Sequence, residues 1–216
     1  MENIAVEQNE SCCVVSCERP LDQTYWNNQY LANATGWDLG EVSPPLKAYI
    51  DQLTDKHQRI LIPGCGNTYE AEYLLEKGFD QITVIDISPK LVESLQEKFS
   101  SHTGINILCE DFFEHQGEYD LILEQTFFCA IPPAKRTDYA QKMQALLATG
   151  GRLVGLLFDR TFEQQGPPFG GCKCQYESIF EPYFSFHTFE KAYNSFDKRT
   201  DTELFINLKK KSEVEA

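Results

Sequence analysis

The residues best suited to chemistry in this chain are two glycines and one acid. Ile62-Pro63-Gly64-Cys65-Gly66-Asn67 stands where a short apolar run gives way to a helical pattern. Asp86 ends the next apolar run, about 20 residues beyond Gly66. Glycines in a strand-to-helix bend let the backbone approach a ligand that a Cβ would keep away. An acid at the end of the second strand of a doubly wound sheet accepts hydrogen bonds from both hydroxyls of a ribose. A dinucleotide fingerprint needs G-x-G-x-x-G, but Tyr69 takes the third position, so a ligand without a pyrophosphate fits the shorter bend better. In the plainer alternative Gly66 only turns the chain and Asp86 only flanks a helix. The order strand, bend, helix, strand, acid favours a site.

Further residues fall at strand ends. Glu110-Asp111-Phe112 follows a third apolar run, where a carboxylate can accept from an adenine amino group and Phe112 can cover the ring; a solvated acidic turn is the alternative. Gln125, Phe127 and Phe128 close a fourth run. Most of the 15 Phe must be core, but a pair at a strand end suits a site rim. Arg136 is either an orienting charge for an anion or a first-turn helix charge paired with a carboxylate. The histidines, His57, His102, His115 and His187, are scattered beside polar residues and read as surface positions. No Cys/His pair or paired carboxylates stand out.

The elements needed to position these residues alternate. Strand-like runs at 59–63, 81–87, 105–109, 119–123 and 152–158 are separated by helical patterns at 70–77, 89–99 (with Ser88 as N-cap) and 134–147. Pro44 and Pro45 open another helix through Leu53, as proline is tolerated in a first turn. Apolar strands alternating with amphipathic helices imply a mostly parallel sheet covered by helices on both faces. The last third differs: 183–193 and 203–208 are strand-like with no long helix between them, which predicts an antiparallel pair at the sheet edge. Gly166-Pro167-Pro168-Phe169-Gly170-Gly171 is expected to be a stiff loop bordering the ligand crevice.

With 216 residues the chain fits one domain, residues 21–216, preceded by a polar arm at 1–20 expected to be disordered. The net charge of −14 disfavours nucleic acid and anionic membranes as partners, and no apolar stretch approaches a membrane span. Of the eight cysteines, Cys12, Cys13 and Cys17 lie in the arm and Cys172 and Cys174 in the glycine-rich loop. No secretory signal precedes them, so reduced thiols in a cytoplasmic protein are the simplest reading. A zinc site joining the arm cysteines to Cys172 and Cys174 is the lesser one, and no metal is expected. No apolar stripe demands a partner, so a monomer is expected.

Several stretches together resemble the thiopurine S-methyltransferase superfamily, especially its thiol and halide methyltransferase branch. They are Gly36-Trp37-Asp38-Leu39-Gly40, Ile62-Pro63-Gly64-Cys65-Gly66, Val84-Ile85-Asp86-Ile87-Ser88, Phe127-Phe128-Cys129-Ala130-Ile131-Pro132 and Gly166-Pro167-Pro168-Phe169. The resemblance implies a class I methyltransferase fold: a doubly wound, Rossmann-like, seven-stranded α/β sheet, mostly parallel, with the seventh strand antiparallel. It implies S-adenosylmethionine as cofactor, S-adenosylhomocysteine as product and a small nucleophile, most naturally a thiol or thiopurine-type sulfur, as acceptor; a halide or other oxygen, nitrogen, selenium or tellurium acceptor, or a non-catalytic module that only binds the cofactor, is the alternative. It implies further that Trp26, Tyr30 and Trp37 cover the cofactor, with Gly64 near its methionine portion, Asp86 near the ribose, Asp111 with Phe112 at the adenine, and Gly66 and Ile87 also binding it. Gln125 and Phe127 would rim the site, and Phe128, Phe169 and Arg136 would shape the acceptor pocket. Tyr30 stands where relatives often carry Trp. Gln125 and Phe158 stand where plant thiol and halide relatives carry Tyr, which weakens a halide preference. In such a site aromatic rings face a sulfonium favourably, by about 0.5–2 kcal/mol each, and alignment lowers the barrier by roughly 7–11 kcal/mol.

Overall fold

A computed structural model describes residues 20–212. The expected arm, Pro20 apart, and Cys12, Cys13 and Cys17 therefore lie outside the described residues. The elements run α1 (Gln23–Leu31), α2 (Pro44–Ile50), β1 (Ile60–Pro63), α3 (Tyr69–Glu76), β2 (Ile82–Asp86), α4 (Pro89–Lys98), β3 (Ile105–Cys109), β4 (Tyr119–Gln125), α5 (Arg136–Leu146), β5 (Leu147–Phe158), α6 (Lys173–Phe180), β6 (Phe184–Lys191) and β7 (Glu203–Lys210).

The strands form one sheet in the order β3-β2-β1-β4-β5-β7-β6. Strands β1 to β5 are parallel, and β7 runs antiparallel to both β5 and β6. The anticipated antiparallel pair thus occupies one side of the sheet. The order reverses between β1 and β4, and the crevice at their carboxyl ends is where such sheets bind ligands.

Alternation along each strand supplies two cores. Leu61, Ile122 and Leu153 face one side, which Tyr139, Met143 and Leu146 of α5 and Phe180 of α6 cover. Ile60, Ile62, Leu121, Leu123 and Val154 face the other, against Leu46 and Ile50 of α2, Leu74 of α3 and Leu91 and Leu95 of α4. Helix α4 shows how sequence makes the element. Ser88 Oγ accepts from the Leu91 amide at 3.3 Å, Pro89 fills the first turn, and Leu91, Val92 and Leu95 form the buried face. Burying each of these contributes about 1.5–3 kcal/mol.

Two helices escape the sequence pattern. Helix α1 buries no residue fully and shows no apolar stripe, so periodicity has nothing to report. It is held by its cap, Asp22 Oδ1 accepting from the Tyr25 amide at 2.9 Å. Docking does the rest: Asn27 Oδ1 accepts from the Lys90 amide at 2.9 Å and the Ser88 hydroxyl at 3.1 Å, fixing α1 to the start of α4. Helix α6 hides behind a glycine-rich approach. Strand β5 begins at Leu147 rather than 152, pairing with Tyr119 before the register shifts past Gly150 and Gly151. Among the described residues no helix is long and apolar enough to cross a membrane.

Candidate active site

The crevice is a cavity of about 740 Å³ walled by the carboxyl ends of β1 to β5, α1, the loop after it and the segment before β7. Gly64 and Gly66 form its floor, both with positive φ, +55° and +52°, a region that a Cβ disfavours. A Cβ on Gly64 would meet the Phe127 ring at 2.1 Å. Glycine is therefore required there twice over, by conformation and by space.

Asp86 closes β2 beside this bend. Its Oδ1 accepts from the Ser88 amide at 2.9 Å and its Oδ2 from the Gly66 amide at 3.4 Å. These donors favour the anion, but burial outweighs them and pushes the carboxyl up to about 6. The acid is thus fixed in place on the cavity wall, and each oxygen keeps acceptor capacity to spare.

A cover lies over the bend. The rings of Trp26 and Tyr30 meet Trp37 edge to face at 5.7 and 5.8 Å, and the Tyr30 hydroxyl sits 3.7 Å from where a Gly66 Cβ would point. Burial holds the Tyr30 phenol well above its ordinary range, so it stays neutral. Asp38 pins the cover to the floor. Its Oδ1 accepts from the Gly40 amide at 2.7 Å, while Oδ2 accepts from Asn67 Nδ2 and from the Tyr69 hydroxyl at 3.3 Å.

The opposite wall is the turn after β4. Glu124, fully buried, accepts from the Phe127 and Phe128 amides at 2.8 and 2.9 Å and from the Tyr139 hydroxyl at 2.5 Å. These bonds hold a turn in which Thr126 adopts φ +61°. Phe127 then projects over Gly64 and packs edge to face on Phe112 at 5.1 Å. Gln125 borders the cavity with its Nε2 buried and unpartnered among the described residues, a donor awaiting an acceptor.

Every residue expected to hold the cofactor borders this one cavity: Trp26, Tyr30, Trp37, Gly64, Gly66, Asp86, Ile87, Asp111, Phe112, Gln125 and Phe127. The three assigned to the acceptor do not. Phe128 turns inward against Tyr139, Tyr176 and Phe180, since the 3-10 turn it begins directs it into the core. Phe169 is 5% exposed and also lies behind the wall, leaving Pro167 and Pro168 to border the cavity. Arg136 donates to the Phe169 and Gly170 carbonyls at 3.0 and 3.1 Å and lies over the Phe128 ring at 4.6 Å. It ties the loop from behind.

The cations that do reach the cavity are Arg160, Lys198 and Arg199. Arg199 donates to the Trp37 carbonyl at 2.7 Å and to Glu203 at 3.3 Å, and its guanidinium lies 5.3 Å from the Phe158 ring centre. No sequence signal singled these out, because isolated basic residues in a polar stretch resemble any solvated surface. His115 also departs from expectation. It is 3% exposed, held between Glu110 and the Tyr119 hydroxyl, where it braces the loop carrying Asp111 and Phe112.

The profile of the family described as "Thiopurine S-methyltransferase (TPMT)" matches residues 21–212. A protein named "Probable thiol methyltransferase 2" from Arabidopsis thaliana is 35% identical over 162 residues, 73% of this chain and 71% of that protein. "Thiocyanate methyltransferase 1" of Brassica oleracea is 29% identical over 168 residues, 75% of this chain and 74% of its own. Among solved structures, a Burkholderia thailandensis 1,6-didemethyltoxoflavin-N1-methyltransferase with bound S-adenosylhomocysteine superposes with a TM-score of 0.70 at 16% identity, covering 88% of this chain and 87% of that one. That last likeness is one of fold.

Proposed function

Because the chain belongs to the thiopurine S-methyltransferase family, we propose that it transfers a methyl group from S-adenosylmethionine to a small sulfur nucleophile. The observation that carries the proposal is the buried, hydrogen-bonded Asp86 beside the Gly64–Gly66 bend and beneath the Trp26–Tyr30–Trp37 cover. The cavity suits this cofactor. Its floor admits no Cβ at Gly64, Asp86 can accept from ribose hydroxyls, and Gln125 Nε2 is an orphaned donor.

When bound, the cofactor supplies an electrophilic methyl on a good leaving group. The protein's contribution is alignment and the exclusion of water. Asp86 and the glycine bend fix one end of the cavity, and Asp111 and Phe112, on the same wall, would hold the adenine. The Trp26, Trp37 and Phe127 rings present electron-rich faces suited to a cation. Arg160 and Lys198 bring positive charge to the cavity wall within a chain of net charge −14, favouring entry of an anionic or polarisable acceptor, while Arg199 is paired with Glu203. A thiol of low pKa arrives as thiolate and needs no base from the protein. Two wall thiols do not compete with it: burial pushes Cys129 up to about 12 and raises Cys65 well above its usual range, so neither is a nucleophile near neutral pH. The family's thiol branch and the absence of phenols at Gln125 and Phe158 favour sulfur over halide. The protein is proposed to act as a cytoplasmic monomer on small molecules.

The test is calorimetric titration with S-adenosylmethionine and S-adenosylhomocysteine, followed by labelled cofactor against hydrosulfide, thiocyanate, small organic thiols, heterocyclic thiols, halides and oxygen or nitrogen acceptors. Methylated sulfur product formed with stoichiometric S-adenosylhomocysteine supports the proposal. Binding with turnover only on non-sulfur acceptors refutes the acceptor class, and no binding refutes the whole.

A further inference from the structure

The loop leaving β5 returns past the cavity at Pro167 and Pro168 and starts α6 with Cys172-Lys173-Cys174. The two sulfurs stand 2.8 Å apart. Closing that gap to the roughly 2.05 Å of a disulfide takes a sub-ångström shift. Lys173 is the first residue of the helix. A helical residue between two others holds their Cα atoms about 5.4 Å apart, inside the roughly 4.4–6.8 Å that disulfides span. Cys174 is exposed and Cys172 half-buried, whereas Cys65 and Cys129 are buried thiols held protonated. Among the described residues no group of three or more His, Cys, Asp and Glu is arranged to hold a metal. Two sulfurs in contact point to redox chemistry.

We infer that Cys172 and Cys174 are a redox-active dithiol that a hydroperoxide closes to an intrachain disulfide. The exposed Cys174 sulfur, as thiolate, attacks the terminal peroxide oxygen; the O–O bond breaks, the alcohol leaves with a proton, and Cys174 becomes a sulfenic acid. Cys172 loses its proton and attacks the Cys174 sulfur, the S–O bond breaks and water departs. Both sulfurs are oxidised by one electron each and the peroxide is reduced by two. A thiol reductant reverses the step by exchange.

The pair is wired to the cavity wall. Gly171 N donates to the Arg160 carbonyl at 2.9 Å, Lys173 N to Asp159 Oδ1 at 3.1 Å, and the Tyr176 hydroxyl to the Phe158 carbonyl at 2.9 Å. Phe158 and Arg160 both border the cavity. Closing the disulfide pulls on this segment and changes acceptor use, a consequence that rests on the proposed function; the modification itself does not.

The experiment uses the full chain, reduced and then exposed to hydrogen peroxide, with remaining thiols blocked by N-ethylmaleimide and peptides weighed. The expected result is a 172–174 peptide lighter by two hydrogens and refractory to N-ethylmaleimide, restored by dithiothreitol. It forms equally in a C12S/C13S/C17S background and is lost in C172S and in C174S. A pair that stays reduced, runs on to sulfinic acid, links to another cysteine, or is protected by stoichiometric zinc overturns the inference. Acceptor KM in oxidised and reduced protein, measured beside cofactor affinity, then separates the two claims: a disulfide without a kinetic effect removes only the coupling.

Discussion

Substituting Gly64 by alanine tests the floor of the site directly. The residue sits at φ +55°, and the added Cβ would lie 2.1, 2.6 and 2.8 Å from three atoms of the Phe127 ring. Left-handed backbone costs an L-residue about 1–2 kcal/mol, and forcing a packed ring aside costs about 1–3 kcal/mol more. Gly64→Ala should therefore destabilise the protein by about 2–5 kcal/mol. The two costs separate in a double-mutant cycle. In a Phe127→Ala background the ring is gone and only the backbone cost remains, so Gly64→Ala should then cost about 1–2 kcal/mol, leaving a coupling of about 1–3 kcal/mol. Urea unfolding of the four proteins measures every corner, and cofactor titration runs in parallel. Equal costs in both backgrounds would show that Phe127 does not stand over the bend, and the argument for a ring-covered glycine floor would fail.

In the proposed function Asp86 would accept from the ribose as an anion, and burial raises its carboxyl to about 6. Cofactor affinity should accordingly be about tenfold weaker at pH 5 than at pH 8, with Asp86→Asn weak at both; calorimetry that finds no pH dependence refutes the contact. Glu124 is likewise raised by burial, to about 7 from 4.5. Its contribution to stability is fully present below about pH 4.5 and lost as pH rises through about 7, worth roughly 3 kcal/mol. Asp86 titrates with the same sign in an overlapping window, so the comparison is with Glu124→Gln, whose unfolding free energy should fall less between pH 5 and 8. Phe169→Ala should act as a core deletion, destabilising by about 3–5 kcal/mol with little change in acceptor KM for the protein that remains folded. Arg160→Gln should raise KM for an anionic acceptor and leave cofactor affinity unchanged; initial rates across an acceptor panel decide it.

The sheet was legible because its strands are apolar on both faces and its helices α3 and α4 carry apolar residues at helical spacing. The cavity end floored by Gly64 and Gly66 was legible for a related reason. Backbone geometry sets it, and glycines and acids at strand ends mark that geometry in the sequence. The wall expected to receive the acceptor was not. Whether Phe128, Phe169 and Arg136 face the cavity depends on a 3-10 turn and on α6, and neither announces itself by periodicity. Arg160 and Arg199 reach the cavity from distant segments, so only folding reveals their common destination. Glu124 was invisible for a different reason: it sits within an apolar strand, and its role as a post for the following turn shows only in its hydrogen bonds.

The bond from Arg199 to the Trp37 carbonyl joins residues 162 positions apart. A chain emerging from the ribosome carries its glycine bend and Asp86 early, but Arg199, the tether for the tryptophan cover, comes late. Contacts this distant form late, after the entropy of a long loop has been overcome. If the cavity holds the cofactor as proposed, tight retention should arrive only once the chain has been made through Arg199. A nascent or truncated polypeptide lacking that arginine should hold nucleoside loosely, so that retention itself certifies a finished molecule.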